Sequence, residues 1–225
     1  VTISGDMEVE YVEITNISDK DVEVVPIGVI PVYGRSADNL RDHRHVTSLL
    51  HRIQTTEYGV EVKPVLSFDE RGHQKNNTTY FVYGSAENGE KPESFYPTVE
   101  AFIGEGGTFL NPEAVRTNKP GKTAGTKIQG KEAVGGLRFS RKTLKPKEAA
   151  GYILLSGTTK TSDSIALLTS GCRTKLQVQK MLEEVKEHWI QKVNVAFETG
   201  NSDVDNYLKW ICFQPILRRI YGCSF

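Results

Sequence analysis

The sequence predicts a mainly β fold, in which a β-sandwich is followed by two α-helices. Short runs of β-type residues recur ahead of Gly171, and stretches rich in Gly, Asn, Pro and Lys separate them. After Gly171 the apolar residues follow a spacing of about 3.6 residues, which is the period of an amphipathic helix. Several strands with turn residues between them indicate a sandwich.

The first strands are predicted close to the start of the chain. Residues 8–14 alternate Glu with apolar side chains, with one irregularity, which is the pattern of a half-buried strand. Residues 16–19 supply turn-forming side chains, and residues 22–32 form a longer β-type run. Pro26 and Pro31 donate no ladder hydrogen bond, so this run is predicted at a sheet edge or a bend. Together the two runs predict a hairpin.

Four further runs are predicted as strands, at residues 59–68, 78–83, 98–103 and 151–156. Residues 118–136 are rich in Lys, Gly and Thr and contain few large apolar side chains. They are therefore predicted to form a long exposed loop. This loop holds a Gly-Lys-Thr triplet, but the glycine spacing and the preceding apolar strand of a phosphate-binding loop are missing around it.

Two helices are predicted after the β-rich part. The first has an apolar stripe interleaved with Glu and Lys, formed by Leu176, Met181, Leu182, Val185, Trp189 and Val193. The second begins at Ser202, a good N-cap, with Asp203 and Asp205 in the first turn, where the helix dipole favours negative charge. Pro215 lies inside this helix and is expected to kink it, because proline removes one backbone hydrogen bond.

The composition excludes several classes of partner. Lys plus Arg and Asp plus Glu number 28 each, so no net charge attracts nucleic acid or an anionic membrane. No apolar run approaches the roughly 18 residues that cross a bilayer, and no export signal precedes the first strand. Three cysteines without a CxxC pair fit a reducing compartment. We therefore expect a cytoplasmic protein with neither a nucleic-acid nor a membrane partner.

The densest group of polar side chains lies in residues 41–52, RDHRHVTSLLHR. Its histidines and Asp42 could be metal ligands, but three neighbouring arginines oppose a divalent cation, so no metal is expected. A second interpretation is that Arg41, His43 and Arg44 bind sugar hydroxyls, phosphate or a neighbouring domain. A third is a loop whose arginines pair with carboxylates and whose histidines bind buried carbonyls. The residues leave these two interpretations open.

Two other segments are predicted to be turns. Residues 68–78 are turn-rich and lead into a strand, as the tip of a hairpin does. The adjacent Asp69 and Glu70 would point to opposite faces of a strand, so they do not suit the acid and base of a glycosidase. Residues 105–107 predict a tight, glycine-dependent loop. No self-contained set of catalytic residues is visible, and no catalytic residue is predicted.

Five segments of the chain together resemble glycoside hydrolase family 94, the inverting β-glycoside phosphorylases. They are EYVEITNISD at 10–19, RDHRHVTSLLHR at 41–52, residues 68–81, VEAFIGEGGTFLNPEAV at 99–115, and YLKWICFQPILRRIYGCS at 207–224. Their order and spacing are more specific than any one segment. The second and fifth are most similar to the 1,2-β-oligoglucan phosphorylases, in a family that also includes cellobiose and cellodextrin phosphorylases.

The resemblance implies a particular arrangement of domains. It consists of an N-terminal, galactose mutarotase-like β-supersandwich, a helical linker, an (α/α)6 catalytic barrel and a small C-terminal β domain. In this chain the supersandwich is expected at residues 1–170, the linker at 171–200 and the first barrel helix at 201–225. The apolar run at the end of the chain suits a helix that a barrel covers. The chain is therefore expected to be the N-terminal part of a longer protein.

The resemblance also implies a chemistry. Inorganic phosphate, the co-substrate, cleaves a β-glucosidic bond to give α-glucose 1-phosphate, and no cofactor is expected. One Asp acts as general acid, because phosphate is already a nucleophile and needs no carboxylate to activate it. That Asp is expected outside the 225 residues, which alone are expected to be inactive.

The residues that the resemblance assigns to substrate binding lie near the end of the chain. An Arg that holds the donor sugar in this family corresponds to Arg219, beside Arg218, and its planar fork suits two adjacent hydroxyls. The alternative role for either arginine is an ion pair within the barrel. The expected partners are a β-linked glucose oligosaccharide, phosphate and, in the full-length protein, a second copy of the chain in a homodimer.

Two alternatives to an enzyme part remain. In one, the sandwich is a non-catalytic carbohydrate-binding module, which requires an exposed aromatic platform. The residues available for such a platform, which also suit an ordinary core, are Tyr80, Tyr83, Phe95 and Tyr96. In the other, the sandwich is a structural or dimerisation domain. The sequence does not separate these two.

Overall fold

Two antiparallel sheets dominate the computed structural model, which describes residues 2–4, 7–34, 47–69, 72–160, 162–217, 219–220 and 223–224. The chain divides into two compact units, Val1–Gln179 and Lys180–Phe225. The first unit contains both sheets. The second contains most of one helix and all of the next.

The strands of the first half are β1 Thr2–Ser4, β2 Met7–Thr15, β3 Val22–Val24, β4 Ile27–Pro31, β5 His51–Thr55, β6 Gly59–Pro64, β7 Leu66–Asp69, β8 Gly72–Lys75, β9 Thr79–Ala86 and β10 Ser94–Thr98. The later strands are β11 Lys127–Gln129, β12 Ala133–Arg138, β13 Lys142–Leu144, β14 Ala149–Thr159, β15 Arg219–Ile220 and β16 Cys223–Ser224. The helices are α1 Val99–Ile103, α2 Glu113–Arg116, α3 Ser162–Ser170, α4 Lys175–Lys192 and α5 Ser202–Leu217.

The larger sheet has seven strands in the order β1-β2-β14-β9-β6-β5-β11, and the smaller has three in the order β10-β12-β4. Strand β14 pairs with β2 on one side, with Ala149 opposite Thr15, and with β9 on the other, with Tyr152 opposite Ala86. The pairs β13-β3, β7-β8 and β15-β16 form small separate ribbons. The prediction of a mainly β sandwich with helices after it is confirmed.

The main hydrophobic core lies between the two sheets. Val60, Val82 and Leu154 come from the larger sheet, and Leu137 comes from β12 of the smaller one. Burial of such aliphatic side chains is the dominant favourable term in folding a sandwich. A second, smaller core of Tyr96, Phe102, Ala114 and Val134 packs the short helices α1 and α2 against the smaller sheet.

Glycines lie at close contacts between the two sheets. A Cβ built on Gly135 of β12 would stand 2.2 Å from the Cβ of Val82 on β9. A Cβ on Gly84 of β9 would stand 2.7 Å from Cδ1 of Leu137. Each glycine therefore makes room for an aliphatic side chain of the opposite sheet.

The predicted hairpin at the start of the chain is wrong, although both β-type runs are strands. Strand β2 pairs with β1 and β14, and β3 pairs with β13. The turn between them is fixed by Asn16, which donates through Nδ2 to the carbonyls of Leu144 (2.8 Å) and Lys20 (2.7 Å). This buried amide ties the turn to the β13 strand end and directs the chain away from β2.

The second β-type run breaks at Pro26 into β3 and β4, and β4 lies at the edge of the smaller sheet. The predicted edge position and bend are confirmed. Residues 98–103 are not a strand. Strand β10 ends at Thr98, whose hydroxyl accepts a hydrogen bond from the Ala101 N–H at 3.2 Å and so caps helix α1. N-cap chemistry here overrides the β-type composition.

The exposed loop predicted at residues 118–136 is wrong in its second half. It contains β11, which extends the larger sheet, and the start of β12, which is buried along its whole length. The segment has few large side chains because Gly135 and Gly136 lie against the opposite sheet and strand β10. The scarcity of large apolar side chains in this segment therefore reflects close packing of its glycines and not exposure to solvent.

The helical part contains both predicted helices. The amphipathic stripe forms α4, and α5 continues through Pro215 to Leu217. Its cap is Asn201 rather than Ser202, because the Asn201 Oδ1 accepts from the N–H groups of Asp203 and Val204. A further helix, α3, was not predicted. Within the second unit the rings of Trp189 and Phe213 pack with their centroids 5.7 Å apart.

Candidate functional site

The predicted polar cluster at 41–52 is only partly described by the structure. Arg41, His43 and Arg44 lie outside the described residues, so their proposed role in substrate binding stays a prediction. The exposed Arg52 donates to the backbone carbonyls of His51 (3.0 Å) and Leu49 (3.3 Å). Arg52 therefore binds backbone carbonyls and not the carboxylates that the structural interpretation expected.

His51 is the buried member of the cluster. It is 2% exposed, and its Nδ1 lies 3.2 Å from the Lys131 carbonyl, as expected for a histidine that binds a buried carbonyl. Nε2 makes no hydrogen bond of ordinary geometry with the described residues, although Gly34 lies close by. Burial lowers the pKa of His51, and the Lys131 and Gly34 carbonyls and the charge of Glu132 offset part of that effect.

The lowered pKa of His51 predicts a pH dependence of stability. In the unfolded chain His51 binds a proton near pH 6.5, whereas in the folded chain it does so only at a lower pH. The stability that neutral His51 contributes is therefore present above about pH 6.5 and is lost as the pH falls from there through the folded-state pKa. We expect the wild type to lose more unfolding free energy between pH 7.5 and 5.5 than His51→Gln, which does not titrate. Urea unfolding at both pH values measures this, and equal losses would contradict it.

Arg218 lies outside the described residues, and Arg219 begins strand β15. The expectation that Arg219 lies on the second helix is therefore wrong, because α5 ends at Leu217. Pro215 accounts for this end, since it has no N–H for the Ile211 carbonyl and weakens the last turn. The role of Arg219 in holding a sugar stays a prediction.

The aromatic residues available for a carbohydrate-binding platform lie mostly in the core. Phe95, Tyr96 and Tyr83 are buried, and Tyr80 packs partly buried against the main core. The Tyr96 hydroxyl donates to the Lys119 carbonyl. The Tyr83 hydroxyl donates to Glu61 at 2.5 Å, and burial raises the pKa of Tyr83. These four residues do not form the exposed platform that a binding module requires.

The glycine-rich loop after α1 is confirmed as a tight turn. Gly104 and Gly106 have φ of 82° and 68°, values that favour glycine. A Cβ on Gly107 would lie 1.9 Å from the Ile103 carbonyl oxygen, so the close approach is to the end of α1 itself. The hairpin predicted around residues 68–78 is also confirmed, as β7 and β8 pair with Asp69 opposite Gly72.

A cavity of about 240 Å³ lies at the end of the larger sheet where β9 finishes and β14 begins. The turn after β9 and the connection from β12 to β13 complete its walls. Phe139 and Tyr152 lie at its apolar side, with ring centroids 4.8 Å apart and planes at 47°. Both rings also belong to the main core, which holds them rigidly.

The rim of this cavity carries charges of both signs. Glu87 and Glu90 come from the turn after β9, and Arg141 and Lys142 come from the β13 side. Glu90 accepts a hydrogen bond from the Ser140 hydroxyl at 2.7 Å. Burial raises the pKa of Tyr152, and the charges of Glu90 and Glu87 raise it further. The cavity thus combines an aromatic side with carboxylate acceptors and cationic donors.

Glu87 is held in place by residues on two other elements. The Tyr11 hydroxyl on β2 donates to its Oε2 at 2.8 Å, and Lys175 Nζ at the start of α4 lies 3.7 Å from the same oxygen. The Tyr11 hydrogen bond is the main cause that lowers the pKa of Glu87. Lys175 also pairs with Glu13 at 3.2 Å. This network keeps the Glu87 carboxylate ionised at the cavity.

A stacked arginine lies near the same end of the sheet. The Arg173 guanidinium carbon stands 3.9 Å from the centre of the Tyr58 ring, within the range of a cation–π contact. Its buried Nε makes no hydrogen bond with the described residues. The Ser85 hydroxyl donates to the Arg173 carbonyl at 2.7 Å and fixes the backbone there.

A second, more open cavity of about 390 Å³ adjoins α1 and α2. Its charged side chains include two ion pairs, Lys131 with Glu100 at 2.7 Å and Lys119 with Glu113 at 3.9 Å. In each pair the two charges neutralise each other. Both pairs are largely exposed, so they contribute little to stability. Across the part of the chain that the structure describes, no group of three or more His, Cys, Asp or Glu could hold a metal ion.

Sequence reasoning singled out none of the residues around the first cavity. They come from three segments, residues 86–91, 139–142 and 150–152, and each segment alone is an ordinary turn or strand end. No short-range pattern links Glu87 to Arg141 or Tyr152. Among the described residues, no helix is long and apolar enough to cross a membrane.

Comparison with known families identifies a supersandwich domain in this chain. The model for the supersandwich domain of glycosyl hydrolase 94 matches residues 1–186. The matched region contains both sheets, helix α3 and the first part of α4. No curated protein matches the chain.

Proposed function

The chain belongs to glycosyl hydrolase family 94, and from this we propose that it is part of a carbohydrate phosphorylase. The observation that carries the proposal is the match of the supersandwich domain over residues 1–186. The family membership makes a carbohydrate the expected substrate. The finer proposal is cleavage of a β-glucosidic bond by inorganic phosphate.

In the proposed reaction a phosphate oxygen attacks the anomeric carbon of the donor glucose. The bond from that carbon to the glycosidic oxygen breaks, and an Asp acting as general acid donates its proton to the leaving oxygen. Attack from the opposite face inverts the configuration and yields α-glucose 1-phosphate. Phosphate replaces both the water and the carboxylate base of an inverting hydrolase.

We propose a supporting role for most of this chain. Residues 1–170 form the supersandwich, 171–200 the linker, and 201–225 the start of an (α/α)6 barrel that carries the general acid further on. Arg219, with Arg218 beside it, is proposed to bind the donor sugar, and Arg41, His43 and Arg44 to bind substrate or a neighbouring domain. These assignments rest on the resemblance of the segments that contain them.

The test is a phosphorolysis assay on two proteins, the 225-residue chain and the chain extended through the reading frame of its gene. Both are incubated with phosphate and a panel of β-1,2-, β-1,3- and β-1,4-linked glucose oligosaccharides. We expect α-glucose 1-phosphate from the extended protein and none from the chain alone. Product from the chain alone would refute the proposal that the general acid lies outside these 225 residues. No product from the extended protein with any linkage would refute phosphorolysis.

The second candidate is a sandwich that serves as a structural or dimerisation domain. An exposed apolar group on α2 and on the segment before it favours this candidate, because Leu110 is 99% exposed and Phe109 and Val115 are also exposed. Exposed apolar groups of this kind are common at protein interfaces. Measuring the mass of the full-length protein in solution tests the proposed homodimer. A monomer at all concentrations would count against it.

A further inference from the structure

We propose that the 240 Å³ cavity beside Tyr152 binds one neutral pyranose ring, such as a glucosyl unit of an oligosaccharide. The proposal concerns binding on the sandwich itself and holds whether or not the enzyme uses phosphate. Five properties of the cavity lead to it.

The first property is size. Sites for drug-sized ligands run from about 300 Å³ upward, so a cavity of about 240 Å³ suits a smaller ligand of one ring. The second is the aromatic side formed by Phe139 and Tyr152. The C–H face of a pyranose is apolar and packs on such a surface.

The third property is the mixture of charges at the rim. Glu87 and Glu90 can accept hydrogen bonds from a ligand. The basic side chains of the rim can donate them, although each also pairs with a carboxylate: Lys91 with Glu57, Arg141 with Glu23 and Lys142 with Glu148. A ligand hydroxyl does both, so a polyhydroxylated ring can use every side of this rim. An anion such as phosphate would meet the two carboxylates, and a cation would meet the basic side chains. The rim therefore favours an uncharged ligand.

The fourth property is the Tyr152 hydroxyl. Tyr152 is 6% exposed and belongs to the cavity lining. A tyrosine hydroxyl both donates and accepts hydrogen bonds, so at a cavity wall it can pair with a ligand hydroxyl. The neighbouring carboxylates Glu87 and Glu90 bring acceptors to the same place, where a sugar hydroxyl can bridge them and Tyr152.

The fifth property is rigidity. Glu87 is fixed by Tyr11 and Lys175, and its backbone N–H donates to the Gly151 carbonyl at 2.9 Å. A Cβ on Gly151 would stand 2.5 Å from Oε2 of Glu87, so glycine is needed for the carboxylate to lie there. A binding site held in place before the ligand arrives loses less entropy on binding.

The experiment is a titration of the 225-residue chain with methyl β-D-glucopyranoside, followed by ligand-observed NMR in phosphate-free buffer. A single small ring is expected to bind with a Kd of about 1 to 10 mM. Tyr152→Phe removes only the hydroxyl and should weaken binding about five-fold. Ser140→Trp places an indole at the cavity rim and should abolish it.

Tyr83→Phe is the matched control. It removes a similarly buried hydroxyl from the neighbouring strand β9, outside the cavity, and should leave the Kd unchanged. Circular dichroism confirms that each variant is folded. Equal binding by all four proteins, or no binding by the wild type at 50 mM ligand, about five times the upper expected Kd, would overturn the proposal.

Inorganic phosphate is the competitor that tests the ligand class. We expect 10 mM phosphate, about the upper expected Kd of the sugar, to leave sugar binding unchanged. Displacement of the sugar by phosphate would show an anion site and overturn the assignment to a neutral ring. Because no phosphorolysis is measured, failure here leaves the proposed function standing, and failure of the phosphorolysis assay leaves this site standing.

Discussion

Replacing Leu137 by alanine is expected to lower the free energy of unfolding by about 3 kcal/mol. Leu137 has 0% exposure and reaches from β12 into the main core. Its Cδ1 lies in the space left by Gly84 on the opposite sheet. Removing it leaves a cavity between two sheets whose hydrogen-bonded strands cannot close around it, so the cost exceeds the loss of hydrophobic burial alone.

Urea unfolding of Leu137→Ala and of a matched control measures this effect. The control is Leu110→Ala, because Leu110 is 99% exposed and the chemical change is identical. We expect the control to lie within about 0.5 kcal/mol of the wild type. A similar cost for both variants would contradict a core formed between the sheets at Leu137.

Gly135→Val is expected to destabilise the protein by about 3 kcal/mol, through overpacking instead of a cavity. The Cβ at this position would stand 2.2 Å from the Cβ of Val82 and 2.5 Å from its Cγ2. Val82 is 1% exposed and cannot turn away into solvent. The sheets must therefore separate locally, although valine itself suits a strand better than glycine does.

The second-site variant Val82→Gly tests that cause. Combined with Gly135→Val, it exchanges the two side chains, so that the valine lies on β12 and the glycine on β9. The double variant Gly135→Val/Val82→Gly should therefore recover a measurable part of the lost stability. The coupling between the two sites is read from a double-mutant cycle. Additive costs, with no recovery, would show that Gly135→Val acts through strand β12 alone and not through the contact with β9.

Several parts of the fold could be predicted because their signals are local. The alternation in residues 8–14, the stripe on α4 and the turn residues around 68–78 each act within a few neighbours. Pro26 broke its strand as expected, for a reason that belongs to proline itself. The family resemblance rested on the order of such segments and is confirmed over residues 1–186.

The errors arose where distant residues decide the structure. Residues 133–136 look like loop because glycine is frequent there, and only distant neighbours explain those glycines: Val82 across the core for Gly135, and Tyr96 on β10 for Gly136. The hairpin prediction failed because Asn16 binds the Leu144 carbonyl, far along the chain. Thr98 looked like a strand residue and acts as a helix cap. Local propensity is a weak guide when tertiary contacts compete with it.

The candidate site could not be predicted from the sequence for the same reason. Tyr152, Glu87 and Arg141 meet only after β14 has paired with β9 and β13 has been placed beside them. Conversely, binding of a buried carbonyl by His51 was one of the interpretations proposed for the cluster at 41–52, since buried polar groups are normally hydrogen-bonded.

The position of β14 between β2 and β9 has a consequence for synthesis. Strand β2 precedes its partner β14 by about 140 residues in the chain. At about 5 to 20 residues per second, a ribosome needs roughly 7 to 30 seconds to make that stretch. During this time β2 offers an unpaired edge, as does β9 for a shorter time. Nascent chains should therefore be most prone to aggregate, and most in need of chaperones, until β14 leaves the exit tunnel.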